Sequence, residues 1–206
     1  FVENSPVTNI NKASIDKNEI KYKILYPNKD INYENINFRT VWGKLYKRKI
    51  LEEFEIFFPT GLKLFEDGLF NLYYLENIDK VSILDQFVYI YSVSETSAVH
   101  KTYTDMYDIF IQINQTLDFI YRKYELAQTT FRDYLNCCLF EFISQLLINN
   151  NKLGFKSKDT YRQIKEEIDV IISEIIPNKL TLRHRVVFYL LKYRLFPVID
   201  FLILAK

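Results

Sequence analysis

The chain has 206 residues, and its 27 basic and 26 acidic side chains leave a formal net charge of +1. This balance argues against a nucleic-acid-binding surface, which would concentrate basic residues. Hydrophobic residues make up 49% of the chain, as in an ordinary globular protein, and neither GxGxxG nor GxxxxGK[ST] occurs, which excludes the common phosphate-binding loops.

The cysteines, Cys137 and Cys138, are adjacent in a segment that has helical periodicity. Neighbouring side chains of a helix point about 100° apart, an arrangement that does not suit a disulfide. The sequence therefore favours a reducing, cytoplasmic setting. The opening segment FVENSPVTNINKAS is polar, has no signal-peptide apolar core and begins without methionine, so we expect the chain to be a piece of a longer protein.

The first half of the chain mixes strand and helix patterns. Residues 21–26 alternate polar and apolar side chains and predict a strand. Residues 47–54 predict a short helix, and a longer helix is expected from about residue 66 to residue 77. Residues 80–93 are rich in Val, Ile, Phe and Tyr and predict one strand, or two short ones separated near Asp85.

From about residue 102 the apolar residues recur at helical spacing, which predicts three amphipathic helices. Ser157 and Asp159 are candidate N-caps of the third helix. The predicted fold is therefore an α/β part over residues 1–101 followed by an all-α part over residues 102–206. The three apolar faces are Met106, Phe110, Ile113, Leu117, Ile120 and Tyr124; Leu135, Cys138, Phe142 and Leu146; and Tyr161, Ile164, Ile168, Ile171 and Ile175.

The last segment, residues 186–205, is apolar and long enough to suggest a membrane span. Lys192, Arg194, Asp200 and Pro197 argue against spanning, because ionised groups inside a bilayer are costly. The segment instead fits a helix lying on an anionic membrane surface, while packing within a helix bundle or against a second copy in a homodimer remains the alternative. The basic residues concerned are Arg183, His184, Arg185, Lys192 and Arg194.

Two adjacent carboxylates, Glu66 and Asp67, precede an aromatic run. Acidic residues in a first helical turn are stabilised by the helix dipole by ~0.3–1 kcal/mol, so a helix start alone explains the pair. Gly68 follows directly, although glycine in a helix costs ~1 kcal/mol relative to alanine. Because a glycine beside a carboxylate lets a ligand or another backbone approach closely, the stretch is also a candidate binding site.

Four short motifs follow one another over residues 42–98: W-x-K-L-Y-K-R, then F-P-x-G, then E-D before an aromatic helix, then Y-x-Y and a serine. In this order they resemble the C-terminal half of a family 2 glycosyltransferase, one of the GT-A enzymes that build bacterial surface polysaccharides. The residues that carry the resemblance are Trp42, Lys44, Leu45, Tyr46, Lys47, Arg48, Phe58, Pro59, Gly61, Glu66, Asp67, Tyr89, Tyr91 and Ser97.

The resemblance implies an inverting transfer of a sugar from a nucleotide-sugar to a hydroxyl of a glycan or lipid-linked acceptor. It makes Asp67 the general base that takes the hydroxyl proton, and it gives Glu66 an orienting role beside the acceptor. Trp42 and Lys44 resemble the acceptor-side wall, with Gly68 as a further contact. A core aromatic is the alternative for Trp42, and a solvated basic face is the alternative for Lys44, Lys47, Arg48 and Lys49.

The sequence departs from the family pattern in its loop and at its start. The position of the family's loop histidine is Ser94 here, a candidate substrate contact. His100 is a candidate metal ligand in its place, with a surface or loop histidine as the alternative. No D-x-D motif occurs, so the divalent metal (Mn²⁺ or Mg²⁺) and nucleotide-sugar sites are expected in the complete enzyme and not in this chain alone. We therefore expect a truncated GT-A part, inactive by itself, cytoplasmic or peripheral at the inner face of the membrane. The alternative is a non-catalytic helical module that docks a partner protein or a membrane surface.

Overall fold

The computed structural model describes residues 13–26, 36–83, 89, 101–123 and 129–204, which are mainly helical. Two three-residue strands, β1 (Ala13–Ile15) and β2 (Val81–Ile83), pair antiparallel, with Ser14 opposite Ser82. The helices are α1 (Lys17–Leu25), α2 (Arg48–Glu53), α3 (Glu66–Glu76), α4 (Met106–Lys123), α5 (Thr129–Lys152), α6 (Ser157–Gln163), α7 (Lys165–Glu174), α8 (Leu182–Lys192) and α9 (Phe196–Leu204).

The strand predicted over residues 21–26 is wrong, because most of this segment is the second half of α1. Asp16 caps the helix by accepting a hydrogen bond from the backbone N–H of Asn18 at 2.9 Å. Lys21 is 2% exposed and pairs with Glu76 of α3. The alternation of polar and apolar residues does not mark a strand here, because Lys21 is buried and pairs with an acidic residue of another helix.

The helices predicted around residues 47–54 and 66–77 are confirmed as α2 and α3. Glu66 and Asp67 form the first turn of α3, so the interpretation of the pair as a helix start is confirmed as well. Of the predicted strand region 80–93, residues 81–83 form β2. The predicted division near Asp85 lies outside the described residues.

The first two predicted amphipathic helices are confirmed as α4 and α5, with Tyr124 outside the described residues. The third is divided into α6 and α7, because Ile164 leaves helical geometry at φ −124°. Neither predicted N-cap is correct: α6 begins at Ser157 itself, and Lys156 precedes it. The Ser157 hydroxyl instead donates a hydrogen bond to the Asp200 carboxylate of α9 at 2.6 Å.

The final apolar segment forms two helices, and Arg194 between α8 and α9 takes a left-handed conformation at φ 59°. The Arg194 guanidinium bonds the Asp169 carboxylate at 2.7 Å and lies 4.2 Å from the centre of the Tyr161 ring. Among the described helices, none combines the length and hydrophobicity needed to cross a bilayer.

One hydrophobic core runs through both halves of the described chain, from Ile15 to Ile199. Helix α5 lies at its centre and contacts α1, α4, α6, α7, α8 and α9. Cys137 and Cys138 of α5 are buried and not disulfide-bonded, as expected, and burial raises the pKa of each thiol to about 12. The change of composition near residue 101 therefore occurs within a shared core.

Candidate functional site

The two carboxylates lie where α3 meets the loop that precedes α2. Phe65, directly before the helix, has a left-handed backbone with φ 66°. Asp67 Oδ2 accepts a hydrogen bond from the backbone N–H of Val41 at 3.2 Å. In the part of the chain that the structure describes, Asp67 Oδ1 has no hydrogen-bond donor. Asp67 thus fixes the loop through one oxygen, and no described residue donates to the other.

Asn71 of α3 holds the same loop from beneath and is 3% exposed. Its side-chain amide donates to the carbonyl oxygens of Phe38 and Thr40 at 2.9 and 3.0 Å, and its oxygen accepts from the Tyr46 hydroxyl at 2.6 Å. Asn71 therefore uses its amide nitrogen to hold the loop backbone and its oxygen to hold the Tyr46 side chain. A lone asparagine within the aromatic run FNLYYL is the sequence signal that points to this role.

Aromatic packing fixes the far end of the loop and α2 on α3. The Tyr46 ring meets the Tyr74 ring edge-on with centroids 5.0 Å apart, and the Tyr74 hydroxyl accepts from the backbone N–H of Lys47 at 2.8 Å. Phe58 stacks on Phe70 at 4.4 Å. These contacts form a second, small core beside the main one, so the loop has a defined position relative to the carboxylates.

Lys44 lies in the loop, and its ammonium donates to the carbonyl oxygens of Asn37, at 2.7 Å, and Thr40. Burial lowers the pKa of Lys44 to about 8, and the negative charge of Asp67 acts in the opposite direction. The solvated basic face proposed for this region describes Lys47, Arg48 and Lys49, which are exposed, but not half-buried Lys44. The structure therefore brings an amine with a lowered pKa near the carboxylate pair.

The pKa values of Glu66 and of the nearby Tyr46 hydroxyl are also shifted. Burial raises the pKa of Glu66, a shift that its own backbone N–H opposes and the charge of Asp67 reinforces. Burial, with the nearby Asp67 charge, raises the pKa of the Tyr46 hydroxyl as well. A half-buried cluster of two carboxylates, an amine and a phenol is suited to accepting a proton from a bound hydroxyl group.

Trp42 is half-buried and stacks on Tyr89, with ring centroids 4.9 Å apart and planes 20° from parallel. Tyr89 is 49% exposed. Trp42 is therefore not the core aromatic that the sequence left open. The stacked pair forms an aromatic surface beside the loop that carries Lys44.

Gly68 is buried, and a side chain there would collide with the Phe65 ring, whose Cε2 atom would lie 2.5 Å from the added Cβ. The close approach expected at this glycine is thus made by a neighbouring aromatic ring of the same chain. The structure gives Gly68 a packing reason, and its predicted contact with a substrate has no support from this arrangement.

Ser94 and His100 lie outside the described residues, so the predicted loop contact and metal ligand stay predictions. Among the residues that the structure describes, no group of three or more His, Cys, Asp or Glu side chains is arranged to hold a metal ion. Glu66 and Asp67 alone are too few to form such a site.

The chain is similar to the uncharacterized glycosyltransferase EpsJ of Bacillus subtilis (strain 168), with 28% identity over 134 residues. The match covers 65% of this chain but 38% of EpsJ, so the chain corresponds to well under half of that relative. No protein-family model matches the chain, and no solved structure gives a significant match. The similarity supports a glycosyltransferase as the general class.

Proposed function

We propose that the chain is the acceptor-side part of an inverting, family 2 glycosyltransferase with a GT-A fold, acting in the synthesis of a bacterial surface polysaccharide. The observation that carries the proposal is the carboxylate pair at the start of α3, together with the similarity to a glycosyltransferase. The order of the motifs around Trp42, Asp67 and Tyr89 supports the choice of family.

In this proposal Asp67 is the general base. The acceptor hydroxyl gives its proton to Asp67 Oδ1 while its oxygen bonds to the anomeric carbon of the donor sugar. The bond from that carbon to the nucleotide diphosphate breaks at the same time, which inverts the configuration. A carboxylate at a helix N-terminus suits the role, because the helix dipole stabilises its ionised form before it accepts the proton.

The surrounding residues would position the acceptor. Glu66 lies next to the base, and its raised pKa suits a group that shares a proton or hydrogen-bonds a hydroxyl. The stacked rings of Trp42 and Tyr89 offer an apolar surface to the C–H face of a sugar ring. Lys44 holds the loop through two carbonyl oxygens and contributes positive charge near Asp67.

The nucleotide-sugar donor and the divalent cation belong to the proposal for the complete enzyme. Among the described residues no group of side chains fits the cation, and the candidate ligand His100 lies outside them.

The test is Asp67→Asn in the complete reading frame that encodes this chain, assayed for transfer from a set of nucleotide-sugars. An asparagine oxygen can still accept the Val41 N–H, so the loop should keep its place. We expect transfer to fall by about 10²–10⁴-fold, the usual contribution of a general base, with donor binding and stability nearly unchanged.

Asp79→Asn is the matched control, because Asp79 is exposed and lies beyond the end of α3. It should leave transfer as in the wild type. Near wild-type transfer by Asp67→Asn, with a loss in Glu66→Gln, would move the base to Glu66. Near wild-type transfer by both variants would remove the carboxylate pair from the chemistry.

A further inference from the structure

The outer face of α9 is apolar and exposed, although the helix is also apolar on its inner face. Phe196, Ile199 and Ile203 turn inward, and Ile199 is 3% exposed. A helix that is hydrophobic all round is normally buried, so an uncovered outer face calls for a further contact. The exposed outer residues are Pro197, Val198, Phe201, Leu202 and Leu204.

Hydrogen bonds accepted by Asp200 fix which face of α9 turns outward. Asp200 points inward, and its Oδ1 accepts hydrogen bonds from the backbone N–H and the hydroxyl of Ser157, at 2.9 and 2.6 Å. The N–H of Ser157, in the first turn of α6, has no partner within its own helix, and Asp200 of α9 supplies the acceptor. Because α9 is held at its centre in this way, Phe201 and Leu202 face outward by construction of the fold.

Helix α8, which packs against α9, carries an exposed apolar stripe of its own. Leu182, Val186 and Tyr189 recur at helical spacing on one face and are exposed. Tyr193 and Leu195, in the turn between α8 and α9, are also exposed, at 64% and 45%. Exposed apolar residues therefore recur from the start of α8 to the end of α9.

Positive charge flanks the apolar stripe of α8. Arg183 and Lys192 are both exposed, and the 100° step of a helix puts them on opposite sides of the stripe. The other basic residues of the segment are hydrogen-bonded: His184 with Tyr26, Arg185 with three carbonyl oxygens, and Arg194 with Asp169. The Lys192 ammonium makes a weaker contact, 5.8 Å from the centre of the Phe188 ring, and stays exposed. Over residues 182–192 and 196–204 the single carboxylate is that of Asp200, which turns inward.

We propose that the outer face of α8 and α9 docks on an anionic lipid surface, with Phe201 and Leu202 entering the apolar boundary and Arg183 and Lys192 meeting lipid phosphates. The charges decide between this partner and a second copy of the chain. In a two-fold dimer the same patch would face itself, which brings basic flanks together without an outward carboxylate of α8 or α9 to offset them. Anionic headgroups supply the complementary charge.

The experiment is flotation of the 206-residue chain with phosphatidylcholine vesicles, with and without phosphatidylglycerol. We expect binding to the anionic vesicles that weakens with salt. The double variant Phe201→Gln, Leu202→Gln should bind at least about tenfold more weakly. It loses the free energy gained when two apolar side chains are transferred from water into the membrane. Val170→Gln on α7 is the matched control, since Val170 is 55% exposed, and it should bind like the wild type.

A second variant tests the charges without changing the apolar face. Replacing Arg183 and Lys192 by glutamine should weaken binding to anionic vesicles by about fivefold per residue and leave the weak binding to neutral vesicles unchanged. Absence of vesicle binding by the wild type, or equal binding by the Phe201 and Leu202 variant, overturns the proposal. If the wild type does not bind vesicles but sediments as a dimer, and the Phe201 and Leu202 variant is a monomer, the proposal is overturned and the face binds a second copy of the chain.

Discussion

Arg39 and Glu141 are 102 positions apart and form a two-pronged ion pair, with Nη1 and Nη2 donating to the two carboxylate oxygens at 2.9 and 2.7 Å. Arg39 also donates to the carbonyl oxygens of Ile24 and Leu25, both at 2.7 Å. One guanidinium therefore joins the loop of the candidate site to the end of α1 and to the central helix α5.

Removing one partner of this pair should destabilise the protein strongly. The two side chains are 18% and 17% exposed, so Glu141→Gln leaves a mostly buried cation without its counter-charge. We expect a loss of about 3 kcal/mol in the free energy of unfolding, measured by urea denaturation. Glu52→Gln is the control, because the Arg48–Glu52 pair is 88% and 62% exposed and should contribute less than about 1 kcal/mol. Equal effects of the two substitutions would contradict the role of the Arg39 pair.

Gly68→Ala should lower stability, although alanine is the better helix former by ~1 kcal/mol. The added methyl group would lie 2.5 Å from the Phe65 ring, and that ring is held by Phe142 and by the Arg39 guanidinium, so it has little freedom to move. We expect a net cost of about 1–3 kcal/mol in urea denaturation. In the Phe65→Ala background the same substitution should lose most of its cost, and a full cost there would show that the ring is not the cause.

Lys44 should react with amine-acylating reagents at lower pH than an ordinary lysine. Burial lowers its pKa to about 8, so half of its side chains are neutral there, whereas a lysine in a peptide has a pKa of about 10.4. Mass spectrometry of the labelled peptide across a pH series should give a midpoint near 8. Asp67→Asn should move the midpoint lower, because the Asp67 charge raises the pKa. A labelling midpoint close to the peptide value of about 10.4 would show that the Lys44 amine is not buried.

Acidification should destabilise the protein partly through His184. Its Nδ1 lies 2.9 Å from the Tyr26 hydroxyl, and burial lowers its pKa below 6.5. Below that pH the unfolded state binds the proton more readily than the folded state, so stability falls as the pH drops through 6.5 towards the folded pKa. Urea denaturation at about pH 7.5 and about pH 5.5 should show a smaller loss for His184→Gln than for the wild type. An equal loss would show that other groups account for it.

The local elements of the site were predictable, but the contacts that hold them were not. Helix α3 follows from an acidic first turn and a regular apolar run, both of which are encoded within a dozen residues. The strand prediction over residues 21–26 failed because Lys21 is buried against Glu76, a partner that no local pattern reveals. Lys44 had equally ordinary neighbours in sequence, and only the folded loop shows that its amine is half-buried.

The sequence by itself determined the helical periodicity of α4 and α5, the start of α3 and the order of motifs that points to sugar transfer, because these depend on residues close together in the chain. The tertiary structure alone decided which basic residues of the last segment are engaged, which face of α9 remains exposed, and that Arg39 joins three elements. Such features depend on partners tens of positions away, and the geometry of a folded core, not spacing in the sequence, determines whether they meet.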